Sequence, residues 1–171
     1  MAVDFIKGLE KGMENLHKTG AFLTVKNEDK VNTMTISWGS IGYMWGRPVL
    51  TVMVRKSRYT YELLEKIDNF TVSIPYGDKL QSALALCGKK SGRNTDKCKE
   101  ANISFASSKE VDSPIVDNCN MYYECKVVYK GEMDKSLLIP EIDEKFYSNN
   151  DYHVLYFGEI VAAYENATDA V

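Results

Sequence analysis

Two polar loops carry the side chains best suited to hold an anion. The first is Arg55-Lys56-Ser57-Arg58-Tyr59-Thr60, between an apolar run and a segment of helical composition. A helix amino terminus presents unpaired N–H groups and a partial positive charge. Ser57 and Thr60 add hydroxyl donors, while Arg55 and Arg58 add charge-assisted, bidentate contacts. That set matches a phosphate monoester. The competing reading is a plain helix cap by Ser57 or Thr60, with the basic residues solvated. The second loop is Cys87-Gly88-Lys89-Lys90-Ser91-Gly92-Arg93-Asn94-Thr95-Asp96-Lys97. Its glycines permit unusual dihedrals, and Ser91, Arg93 and Lys97 can converge on one anion. Taken alone it reads better as an exposed, solvated loop. The spacing fits neither a Walker A loop nor G-x-G-x-x-G, so neither a P-loop nor a Rossmann nicotinamide site is supported. The pair carries the weight. Two loops rich in Arg and Ser, in a chain of net charge −3, point to a local anion site and not to a basic surface.

A third segment, Asn32-Thr33-Met34-Thr35-Ile36-Ser37-Trp38-Gly39, places polar side chains in a strand otherwise suited to burial. Its hydroxyls, amide and edge backbone groups can line the rim of a flat heterocycle, with Trp38 packed on the ring. A half-exposed strand with its tryptophan in the core explains the same residues. His153 opens the run HVLYFGEIV without an acid–base partner visible in the sequence. With two histidines and no G-x-S-x-G elbow, no nucleophilic triad can be built, and no catalytic side chain is assigned. The cysteines, Cys87, Cys98, Cys119 and Cys125, form no C-x-x-C pair, so no metal site is expected.

The elements that must position these groups follow from periodicity. Phe5, Leu9, Met13 and Leu16 recur at helical spacing up to Gly20. AFLTV (21–25) and VNTMTISWGS (31–40) flank a polar turn and predict a hairpin. A loop at Trp45-Gly46-Arg47-Pro48 leads into the apolar strand VLTVMV (49–54). YELLEKI (61–67) predicts a short helix, FTVSI (70–74) a strand ended by Pro75, and LQSALALC (80–87) a helix. MYYECKVVYK (121–130) and YHVLYFGEIVAAY (152–164) predict long strands, with a helical patch at 140–147 between them. About six strands against short, non-alternating helices disfavour a doubly wound parallel sheet and favour a mainly antiparallel barrel in one domain, 1–171.

Composition excludes several classes. Hydrophobic residues at 44% and charged residues at 26% describe an ordinary globular chain. The acidic balance argues against a nucleic-acid binder, no apolar run approaches a bilayer span, and the amino terminus lacks a signal-peptide core. A cytoplasmic protein with reduced thiols is expected.

In order along the chain, N-T-M-T-I-S-W (32–38), W-G-R-P-V-L-T-V-M-V-R-K-S-R-Y-T (45–60), F-T-V-S-I-P (70–75), C-G-K-K-S-G-R-N-T-D-K (87–97) and H-V-L-Y-F-G-E-I (153–160) resemble the flavin reductase-like domain family, which includes the flavoredoxins. The resemblance spans roughly residues 20–163. It implies a mainly β (α+β) fold, an antiparallel split β-barrel with peripheral short helices, usually a homodimer, binding FMN non-covalently near the subunit interface. Carried over, Asn32, Thr33, Met34, Thr35, Ser37 and Trp38 line the isoalloxazine. Arg55, Ser57, Tyr59 and Thr60 approach the ribityl phosphate, as do Ser91, Gly92, Arg93 and Lys97, and His153 lies beside the flavin. The family pattern often has an aromatic after the Asp-Lys pair, where this chain has Cys98. The implied activity is that of an FMN oxidoreductase, either an NAD(P)H-dependent flavin reductase using NADH or NADPH, or an electron carrier reduced by a protein partner. The alternative is a non-catalytic barrel that binds a small ligand or nucleic acid.

Overall fold

A computed structural model describes residues 3–166. Helix α1 (Leu9–Lys18) buries Leu16 and ends at Thr19, followed by Gly20 at φ 100°. Strands β1 (Ala21–Asn27) and β2 (Lys30–Ile36) form the expected hairpin, with Asn27 opposite Lys30. The segment read as one run over 31–40 breaks at Ser37 and Trp38. A separate strand β3 (Gly39–Met44) then pairs with β4 (Arg47–Arg55). Trp45 and Gly46 both sit at positive φ, 52° and 71°, so they make a tight two-residue hairpin turn where the sequence suggested a longer loop.

Helix α2 (Tyr59–Leu64) and strand β5 (Asn69–Ile74) follow, then α3 (Gln81–Lys89) and α4 (Lys97–Ala101). Strands β6 (Phe105–Ala106) and β7 (Ile115–Val116) make a small separate ladder. The long strand β8 (Met121–Glu132), helix α5 (Pro140–Phe146) and the long strand β9 (His153–Glu165) complete the described chain.

The main sheet has seven antiparallel strands in the order β2-β1-β5-β8-β9-β4-β3. Strand β5 is buried at every position because both of its faces are covered. On one face Leu23, Val52, Phe70, Tyr123 and Tyr156 form the larger core. On the other, Phe22, Leu84, Cys87, Val116 and Tyr122 pack beneath α3 and the small ladder. The four cysteines are free thiols. Among the described residues, no helix is long and apolar enough to cross a membrane.

The barrel expected from the sequence is not closed. Strands β2 and β3 are the two edges and share no ladder, although only Ser37 and Trp38 separate them in the chain. Three Cα–Cα steps reach at most about 11 Å, so the sheet curls until its edges stand close at that corner. The edge of β2 is occupied by other partners. The Lys97 ammonium donates to the Thr33 carbonyl at 2.7 Å, and α2 and α3 pack along β2. What remains open is a seam along β2 that faces the end of β4 and the start of β9.

Candidate functional site

The seam holds two small adjoining cavities. One, of about 160 Å³, is lined by Met34, Thr35, Ser37, Trp38, Arg55 and His153, with Ile36, Met53 and Arg58. The other, of about 110 Å³, is lined by Asn32, Met34, Ser57, Tyr59, Thr60, Ser91, Gly92, Arg93 and Lys97, with Arg58, Cys87, Lys89 and Lys90. Met34 and Arg58 border both. Thr33 is set apart: it lies in a groove behind the Gly92 loop, its hydroxyl bonded to Thr24 at 2.9 Å and to the Leu23 carbonyl at 3.3 Å. Thr35 lines the first cavity, but its hydroxyl donates to the Leu84 carbonyl at 2.6 Å and so ties β2 to α3.

Neither hydroxyl of the first loop caps α2. Arg58 stands at the N-cap, and no side chain bonds the first turn. Thr60 is fully buried and accepts from the Asn32 amide at 2.8 Å. Ser57 is held by Asp151, its hydroxyl at 2.5 Å and its backbone N–H at 3.2 Å from the two carboxylate oxygens. The second loop is fitted against the first. A Cβ on Gly92 would lie 2.0 Å from Asn32 Oδ1 and 3.2 Å from the Tyr59 ring, so only glycine lets the loop approach β2 this closely.

The cations fall into two kinds. Arg55 donates to the carbonyls of Asp151 (2.5 Å) and Phe146 (3.0 Å), and Arg58 to that of Gly88 (3.1 Å). Lys97, 7% exposed, donates to the carbonyls of Thr33 (2.7 Å) and Cys87 (3.1 Å). A carbonyl orients a cation without cancelling its charge. Arg93 differs: it pairs with the Glu62 carboxylate, donates to the Ser57 carbonyl at 3.1 Å and lies over the Tyr59 ring. Burial pushes the Lys97 pKa down, but an anion opposite would favour its charged form.

Trp38 is 42% exposed, edge-on to Phe146 at 5.0 Å and tilted against His153 at 5.7 Å. It therefore forms a wall of the seam and is not a core tryptophan. His153 lies opposite Arg55 in the β4–β9 register. Burial, and then the nearby Arg55 charge, lower its pKa to about 4, so the ring is neutral at pH 7. Its Nδ1 lies 2.7 Å from Tyr147 Oη.

The sequence did not bring forward Tyr147 or Asp151, and Arg58 entered as loop chemistry only. Asp151 sits in the polar run Asn149-Asn150-Asp151, which carries no signal beyond that of a turn. Only the β4–β9 pairing brings it to Ser57.

A family model described as the flavin reductase like domain matches residues 13–170. The chain belongs to that family. Flavin reductase-like proteins are flavin-binding oxidoreductases, and the group includes flavoredoxins. An uncharacterized protein of Archaeoglobus fulgidus is 29% identical over 131 residues, 76% of this chain and 73% of its own. The flavoredoxin from Methanosarcina acetivorans superposes with a TM-score of 0.68 at 25% identity, over 90% of this chain and 71% of that one. The flavoredoxin of Desulfovibrio vulgaris gives 0.68 at 23% identity, over 87% of this chain and 70% of that one. In this flavin reductase-like chain the large antiparallel sheet is thus the shared scaffold, and the seam is where its own polar residues gather.

Proposed function

We propose that this chain binds FMN along the seam and works as a redox protein. The observation that carries the reading is the set Arg55, Arg58 and Lys97, cations oriented by carbonyls and not by carboxylates, between an aromatic-walled cavity and one bordered by hydroxyls. Each cavity is small beside the roughly 300–1,000 Å³ of a typical ligand pocket. A ligand with a flat ring at one end and a phosphate at the other uses both. Trp38, Met53 and the neutral His153 offer a surface for the ring. Ser91, Lys89 and Arg58 offer donors and charge for the phosphate, and Arg93, held by Glu62, fixes the loop that carries them. The bound flavin supplies the electron transfer, which no side chain here provides.

The same reading takes electrons from NADH or NADPH, or from a protein partner, and assigns no side chain as acid, base or nucleophile. It includes a homodimer. Exposed Trp45 and Tyr129, packed on each other and on Phe157, supply an aromatic patch for a second copy to cover. Three buried thiols out of four accord with a reducing cytoplasm.

The test is the visible spectrum of the purified protein, with release and identification of the chromophore. A colourless protein that takes up no added flavin refutes the reading. Arg58→Met is expected to weaken FMN more than riboflavin, and equal losses remove the phosphate role. Anaerobic reduction rates with NADH, NADPH and reduced ferredoxin then separate a reductase from a carrier.

A further inference from the structure

His153 is 8% exposed and Tyr147 is 2% exposed, and one hydrogen bond of 2.7 Å joins Nδ1 to the phenol oxygen. That bond contains one hydrogen, from either side. If Nδ1 carried it, the phenol's own hydrogen would be buried without an acceptor, since the Tyr147 hydroxyl meets no other hydrogen-bonding group among the described residues. If the phenol donates, its own hydrogen is used, and the pair's other polar hydrogen lies on Nε2, in a ring that lines the cavity and not in the buried phenol. Burial also pushes the phenol pKa up, so the group keeps its proton. A neutral imidazole that accepts at Nδ1 carries its hydrogen on Nε2. Nε2 points to the other side of the ring, in a residue that lines the cavity beside Trp38, Met53 and Arg55.

The phenol is itself held in place. Its ring stacks on Tyr152 with centroids 4.8 Å apart and planes 13° apart. The Arg55 guanidinium covers it at 5.1 Å and bonds the preceding Phe146 carbonyl. The Tyr147 and His153 rings meet edge-on at 5.5 Å.

We propose that Tyr147 is a positioning residue that locks His153 in the Nε2–H tautomer, giving the cavity one neutral, fixed hydrogen-bond donor for a carbonyl oxygen or bare nitrogen of the bound ring. The ligand half of this inference rests on the flavin reading above. The acceptor edge of a flavin gains electron density on reduction, and a hydrogen bond to it strengthens accordingly. The donor therefore favours the reduced form without giving up its proton.

The experiment uses the full chain with nitrogen-15 histidine. In ligand-free wild-type protein at neutral pH, Nδ1 is expected to resonate as a bare acceptor and Nε2 as protonated. Tyr147→Phe, which keeps the ring, is expected to give a mixture of tautomers. A protonated Nδ1 in the wild type, or an unchanged tautomer in Tyr147→Phe, overturns the positioning role. With flavin added, the ratio of affinities for reduced and oxidised FMN is expected to fall about fivefold in Tyr147→Phe, the worth of one hydrogen bond. His153→Gln, whose amide can replace the Nε2 donor, should recover most of what His153→Leu loses. An unchanged ratio in Tyr147→Phe overturns the ligand half. Wild-type protein with the expected tautomer but no affinity for flavin overturns the cofactor reading of the site instead.

Discussion

Acidification from pH 7 to pH 5 should destabilise the wild-type fold more than that of His153→Gln. In the folded chain the His153 pKa is lowered from 6.5 to about 4, chiefly by burial and then by the Arg55 and Arg58 charges, with Asp151 opposing. As pH falls, the unfolded chain takes up the proton first. Stability tied to this group is therefore fully present above about pH 6.5 and is lost as pH falls toward about 4. The whole effect is worth about 3 kcal/mol, of which about 2 kcal/mol falls between pH 7 and pH 5. Urea midpoints and slopes for both proteins at both pH values give the double difference, in which the other titrating groups cancel. Equal losses of stability in wild type and variant would refute a buried neutral imidazole, and with it the fixed Nε2 donor.

Other perturbations address the two loops and the thiols. Gly92→Ala forces its new methyl onto the Asn32 amide; the Asn32–Thr60 bond should break, and FMN affinity should fall at least about tenfold by titration. Lys97→Met leaves the Thr33 and Cys87 carbonyls without their donor. Because relief of a buried charge offsets part of that loss, a net cost of about 1–3 kcal/mol is expected in urea unfolding. Native-state alkylation near pH 8 should reach Cys98 before the others. Burial raises its pKa too, but Cys87, raised to about 11, and the buried Cys119 and Cys125 are harder to ionise and to reach.

The elements legible in the sequence were those whose pattern is local. The α1 stripe, the β1–β2 hairpin, and strands β4, β5, β8 and β9 all lie where periodicity and β-former content put them. Strand β3 was missed because Gly39-Ser40-Ile41-Gly42 has few β-formers, and its partner β4 supplies the stability its own residues do not. The open seam was illegible for a different reason. Whether β2 ends against another strand or against a lysine depends on Lys97, 64 residues away. The residues of the candidate site were legible through loop chemistry together with the family resemblance, and 14 of the 15 line the two cavities, all but Thr33. What each side chain bonds was not. Ser57 meets Asp151 and Arg93 meets Glu62, and such pairings are set by tertiary approach alone.

The place of β9 in the sheet has a consequence for the order of assembly during synthesis. It is the last strand in the described chain, yet it lies inside the sheet between β8 and β4, with Val49 opposite Glu159. Until it emerges from the ribosome, the β3–β4 hairpin has no strand to join, and more than 90 residues of intervening chain must be made first. Strand β9 also delivers His153, with Asp151 just before it. The nascent protein therefore joins this sheet and this pocket in the same step, so a cofactor can reward only a chain made through β9 and cannot template a shorter one.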